Sequence, residues 1–119
     1  MRKQVHLFIG IVFFLGYAYC INLVQSLTPT LFLVGLIGTL IGSMMPDIFE
    51  PAKTSRHRGL FHSRPVLTLT GVLFLVGAFV SLFLSGPSGS IVIYAASCFL
   101  VGYASHLLAD SLTPAGLPE

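Results

Sequence analysis

The sequence predicts an all-α membrane protein, a bundle of four transmembrane helices with both termini and one long loop on the cytoplasmic side. Three observations predict it. Apolar residues make up 55% of the 119-residue chain and Asp, Glu, Lys and Arg only 8%, with a mean hydropathy of +0.92, whereas a soluble domain needs a charged shell. The apolar residues fall into four stretches, most of them near the roughly 20 residues that carry a helix across a ~30 Å hydrocarbon core. The charged residues collect on one side of those stretches.

The first stretch, Leu7 to Val24, follows Arg2 and Lys3. Its Tyr19-Cys20 pair is too bulky for a signal-peptide cleavage site, and the apolar run continues through Ile21 and Leu23, so it reads as an uncleaved span. The second runs from Thr30 to about Asp47, with helical geometry continuing through Pro46 as the chain leaves the bilayer. The third covers about 66–84 and the fourth about 91–109. Helix is the conformation available to each, because an open strand would leave backbone groups unsatisfied in lipid. Residues 1–119 thus read as one integral-membrane domain. Gly38 and Gly42, with Gly35 one turn earlier, and Gly71, Gly77 and Gly102 in the later spans suit close helix packing.

The connections are unequal. Gln25 to Pro29 and Ser85 to Ser90 are short and uncharged, whereas the loop of about 48–65 contains Lys53, Arg56, Arg58 and Arg64. With Arg2 and Lys3 on the same side, the excess of basic residues places both termini and this loop in the cytoplasm. The formal charge of +2 rests on six basic and four acidic residues, so it reports topology. A nucleic-acid partner is not expected; membrane lipid is. Cys20 and Cys98 both lie in apolar stretches and read as small packing residues rather than a disulfide.

The chemistry-bearing residues share that cytoplasmic end: His6, Asp47, Glu50, His57, His62, His106 and Asp110. His106 and Asp110 are four apart and lie on one helix face. The same face extends back through Gly102, Cys98 and Tyr94, a polar and small-residue stripe that should face the bundle. Thr39, Ser43 and Asp47 repeat the pattern in the second span. An ionisable group at the edge of a span needs a partner, water or a metal. Imidazole and carboxylate donors without thiolate suit zinc first, then manganese or iron. His57 and His62 diverge by about 140° on a continuous helix, so both reach one centre only if the segment bends, as Gly59 allows. Plainer readings stand beside these: His6 as an interfacial anchor, His106 with Asp110 as a hydrogen-bonded pair, Glu50 as a solvated carboxylate, the arginines as topological anchors.

Pro46-Asp47, His57-Arg58-Gly59-x-x-His62-Ser63 and Gly102-Tyr103-x-Ser105-His106-Leu107-x-x-Asp110-x-x-Thr113-Pro114-x-Gly116, with His6 near the start, resemble the YdjM-type inner-membrane proteins described as membrane-bound metal-dependent hydrolases. The resemblance covers nearly the whole chain. It implies a cytoplasm-facing metal site built from His6, Asp47, His57, His62, His106 and Asp110. It also implies hydrolysis, through distant similarity to zinc-dependent phospholipase C, of a phosphoester plausible in a lipid headgroup. Asp47, Glu50 and His62 are then the candidate catalytic residues, with Glu50 standing one place beyond the acidic position common in that family. Arg58 and Arg64 are candidate binders of an anionic, phospholipid-like substrate.

Two classes of function follow. One is the hydrolase, in which a divalent ion activates water. The other is a non-catalytic metal-binding or structural bundle, able to form a homo-oligomer. Coupled ion transport is disfavoured, since the midplane candidates Thr39, Tyr94 and Ser97 are uncharged.

Overall fold

A computed structural model describes residues 3–24, 27–49, 64–84 and 91–112. The described residues form four helices: α1 (Lys3–Val24), α2 (Pro29–Phe49), α3 (Arg64–Phe79) and α4 (Ile91–Ser111), with α3 continued by a π turn, Val80–Leu84. All four, α3 taken with its π turn, are long and apolar enough to cross a membrane, and no strand occurs among the described residues. The all-helical, four-span architecture is therefore the one the composition predicts.

The helices overrun the apolar stretches. α1 begins at Lys3 rather than Leu7, α2 runs through Pro46 to Phe49, and α4 ends at Ser111. Hydropathy marks where the hydrocarbon ends, whereas a helix stops where its backbone bonding is capped or broken. The consequence is functional, because His6 and Asp110 both stand within helices. The start of α2 has a legible local cause. Thr28 caps it, accepting the Leu31 N–H on Oγ1 at 3.2 Å and the Phe32 N–H on its carbonyl at 2.9 Å, and Pro29 takes the first helical position, where no N–H is required.

α4 is the central element, packed against α1, α2 and α3 and most extensively against α2. The α2/α4 contact is backbone on backbone. A Cβ on Gly42 would strike the Phe99 carbonyl, and one on Gly102 would strike the Thr39 carbonyl, so neither position tolerates a side chain at this separation.

Three hydroxyls inside the span are paired between helices. The Thr39 hydroxyl donates to the Cys98 carbonyl at 3.1 Å, and the Tyr94 hydroxyl to the Leu31 carbonyl at 2.9 Å. Ser97 gives its one proton to the Tyr94 carbonyl at 2.7 Å, so it accepts from the Tyr17 hydroxyl at 2.7 Å. Without such partners each hydroxyl would be costly in hydrocarbon.

The predicted stripe on α4 is buried along its length: Tyr94, Cys98, Gly102, His106 and Asp110 all face the bundle. The cysteine expectation holds for one residue and fails for the other. Both thiols are free, and Cys98 is buried, but Cys20 is exposed on the outward face of α1. In a protein dissolved in lipid, an apolar neighbourhood in sequence does not imply burial against protein.

Gly102→Ala should therefore lower stability by about 1–3 kcal/mol through overpacking, measured by reversible denaturation in detergent. Gly71→Ala, whose added methyl would meet nothing within 4 Å, should change it by no more than about 0.5 kcal/mol.

Candidate metal centre

Three of the four helices converge at one end of the bundle, where α1 starts and α2 and α4 finish. Helical spacing places His106 and Asp110 one turn apart on the buried face of α4, and α1 sets His6 across from them. His6 Nε2 lies 3.3 Å from Asp110 Oδ1, and His106 Nε2 lies 3.3 Å from Asp110 Oδ2. The two imidazoles stack, with centroids 3.7 Å apart and planes inclined by 11°. Burial is nearly complete, at 3% exposure for His6, 0% for His106 and 1% for Asp110. His6 thus points into the bundle rather than anchoring α1 at the membrane surface.

α2 contributes through its backbone. His106 Nδ1 is 2.7 Å from the Ser43 carbonyl oxygen. A carbonyl can only accept, so Nδ1 carries a proton and donates it. In the neutral ring Nε2 then holds a lone pair, and it is directed at a carboxylate oxygen. Pro46 has no N–H to give the Gly42 carbonyl, which loosens the α2 ladder next to the turn where Ser43 meets His106.

This arrangement fits a cation. Nε2 and a carboxylate oxygen facing each other at 3.3 Å attract when a proton on Nε2 or a bound cation lies between them, and repel otherwise. Donors held at about 2.1 Å from one ion with a tetrahedral angle between them sit about 3.4 Å apart. One donor atom from each of His6, His106 and Asp110 lies within 4.8 Å of the others, a group able to hold a metal ion. An imidazole whose far nitrogen donates to a backbone carbonyl is the usual orientation of a metal-bound histidine. His6 Nδ1 has no hydrogen-bond partner among the described residues.

The other sequence candidates are placed differently. Asp47 belongs to α2, one turn beyond Ser43, but its side chain lies outside the described residues, as do Glu50, His57, Arg58 and His62 altogether. Arg64 opens α3 and is exposed.

Two contributors escape a reading of side-chain chemistry. The Ser43 carbonyl is a backbone group with no sequence signature, visible only through Ser43's place in the α2 stripe. Gly10 lies beneath the site, where an added Cβ would come within 3.2 Å of the Ser43 Cβ. Its signal was available, since it stands four residues after His6 on the same helix face.

These features define a multi-pass helical membrane protein with a buried His/Asp cluster at one end of its bundle. The chain belongs to the YdjM inner membrane protein family, whose family model matches residues 1–118. It is accordingly a multi-pass inner membrane protein. No curated protein and no solved structure matches the chain.

Zinc supplied at about 100 times its dissociation constant should stabilise the folded protein by about 2.7 kcal/mol, read as an upward shift of the unfolding midpoint in detergent. Asp110→Asn, which keeps the shape and removes the charge, should abolish most of that shift. A shift of equal size in both proteins would place the zinc elsewhere.

Proposed function

We propose that this protein is a membrane-embedded, metal-dependent hydrolase with its centre facing the cytoplasm, acting on a phosphoester of the kind found in lipid headgroups. The observation that carries the reading is the donor set at the end of the bundle. A carboxylate is flanked by two imidazoles, one of them fixed by the Ser43 carbonyl with its other ring nitrogen turned toward the carboxylate. Zinc suits this nitrogen and oxygen set best, with manganese or iron as alternatives. Such an ion, when bound, supplies Lewis acidity toward a phosphoryl oxygen and makes water at the site more acidic.

His6, His106 and Asp110 would hold the ion, with Asp47, His57 and His62 completing the donor set. Burial of the first three keeps competing water away from their inner side. Glu50 would be the spare general base toward the attacking water, with Asp47 and His62 as the other candidate catalytic groups. Arg58 and Arg64 would orient an anionic headgroup, since a guanidinium meets phosphate through paired donors.

A non-catalytic centre is the second reading, favoured by the way the same three residues tie α1, α2 and α4 together. Elemental mass spectrometry on detergent-purified protein, beside turnover of a chromogenic phosphodiester and a fluorescent phospholipid, separates the two. The hydrolase reading expects a stoichiometric transition metal that is lost in His106→Ala. It also expects phosphoester turnover that falls by about 10²–10⁴ in variants of the proton-transfer group. Stoichiometric metal with no turnover on either substrate would favour the structural centre. A folded protein that takes up no zinc, manganese or iron would sink both.

A further inference from the structure

The Ser43 carbonyl is an unusual group to orient a histidine. Carbonyls in an α-helix point along the axis toward the N–H four residues on, and the side chains around them cover their flanks. That of Ser43 nevertheless takes the His106 Nδ1 proton across the α2/α4 interface at 2.7 Å, the short end of the range for such a bond. The Ser43 side chain has no share in this, because its hydroxyl turns back to the Leu40 carbonyl at 3.0 Å.

Two other helical carbonyls accept a side-chain proton from a neighbouring helix, and both are reached over a glycine. The Leu31 carbonyl takes the Tyr94 hydroxyl, and four residues on stands Gly35, where a Cβ would strike that hydroxyl. The Cys98 carbonyl takes the Thr39 hydroxyl, and four residues on stands Gly102, where a Cβ would strike the Thr39 backbone. A missing side chain at the fourth residue thus leaves the carbonyl open to a partner. Ser43 has Asp47 in that place, so its carbonyl is exposed by another means.

That means stands three residues on. Pro46 lies inside α2 and is fully buried, so it faces the bundle and not the lipid. A proline ring within a helix has no N–H for the carbonyl four residues back and crowds against it, which makes proline the commonest cause of a local bend. Here the crowded carbonyl is that of Gly42, and the turn that opens is the one carrying Ser43. Proline is the most costly residue in a helix interior, and at this position its effect on the backbone coincides with the one α2 carbonyl that meets the His/Asp cluster.

We propose that Pro46 is a positioning residue for the metal centre, tilting the Ser43 carbonyl out of the α2 ladder so that it holds the His106 ring with Nε2 toward Asp110. What the orientation serves rests on the metal-centre reading above, whereas the orientation itself is a property of the protein without metal. A ring held in place beforehand loses less rotational freedom when an ion is taken up.

The test is NMR of the full chain in detergent micelles, labelled at its histidine nitrogens and free of metal, beside zinc titration and helicity of the same samples. Wild type should show a His106 Nδ1–H resonance protected from exchange with water, identified by its absence in His106→Gln. Pro46→Ala, which returns an N–H to the Gly42 carbonyl, should lose that resonance to exchange and bind zinc about tenfold more weakly or worse, with helicity retained. Pro46→Leu, which also fills the buried space, should do the same if the first variant folds poorly. Ser43→Ala keeps the carbonyl and should match wild type in both readings. A wild type without the protected resonance, or a folded Pro46 variant that keeps it, overturns the proposal, and any zinc lost in the latter case runs through the neighbouring Asp47. Loss of the resonance in folded Ser43→Ala overturns it too, by assigning the contact to the side chain, as does loss of the resonance in a Pro46 variant whose zinc affinity is unchanged. A wild type that shows the resonance, loses it on substitution of Pro46 and takes up no zinc supports the positioning by Pro46 and overturns the metal-centre reading.

Discussion

The close approach of α2 and α4 at Gly42 and Gly102 is the constraint on which the rest of this structure depends. Side chains at these points would collide with the Phe99 and Thr39 carbonyls, so the two backbones touch only because none is present. In a bilayer the lipid tails are as apolar as leucine, and helix association must come from such contact and from interhelical hydrogen bonds. The same approach brings the Thr39 hydroxyl to the Cys98 carbonyl and, about a turn further on, the Ser43 carbonyl to His106 Nδ1. Moving the helices apart by one methyl group would loosen both links.

The orientation of His106 follows from that proximity. Its ring is pinned at one nitrogen by α2 and faces Asp110 on its own helix with the other. α1 then closes the group by stacking His6 on His106. A carboxylate and two imidazoles buried at 3% exposure or less would be expensive to desolvate in isolation. Their mutual contacts, and the capacity of such a set to hold a divalent cation, give a physical reason for ionisable groups to stand among buried described residues that are otherwise apolar or carry hydroxyls.

The two faces of α4 therefore carry different demands. The face toward α2 is filled with backbone contacts, hydroxyls and the His/Asp group. The face toward the gap between α1 and α3 carries Val101 and Leu108 and opens to lipid. A helix with chemistry on one side and hydrocarbon on the other has little net amphipathic character, because both sides are mostly apolar by composition. The distinction is between polar groups buried in protein and carbon exposed to lipid, the reverse of the pattern in water-soluble bundles.

The sequence by itself determined the class of the protein. Composition excluded a soluble fold, four apolar stretches set the number of helices, and the i, i+4 relation of His106 and Asp110, extended through Gly102 and Cys98, identified the buried face of α4. These were legible because helix length and phase are local properties fixed by 1.5 Å and 100° per residue. The family resemblance of the last motif pointed to the same residues. What only the tertiary structure decided was partnership: that His6 stacks on His106 rather than anchoring at the interface, that a Ser43 carbonyl with no sequence signature orients the ring, that Cys20 faces outward, and that Gly16 and Gly71 border open space while Gly42 and Gly102 border backbone. Each depends on the relative placement of helices far apart in the chain. Hydropathy cannot encode that placement, because in a membrane both the protein-facing and the lipid-facing sides of a helix are apolar.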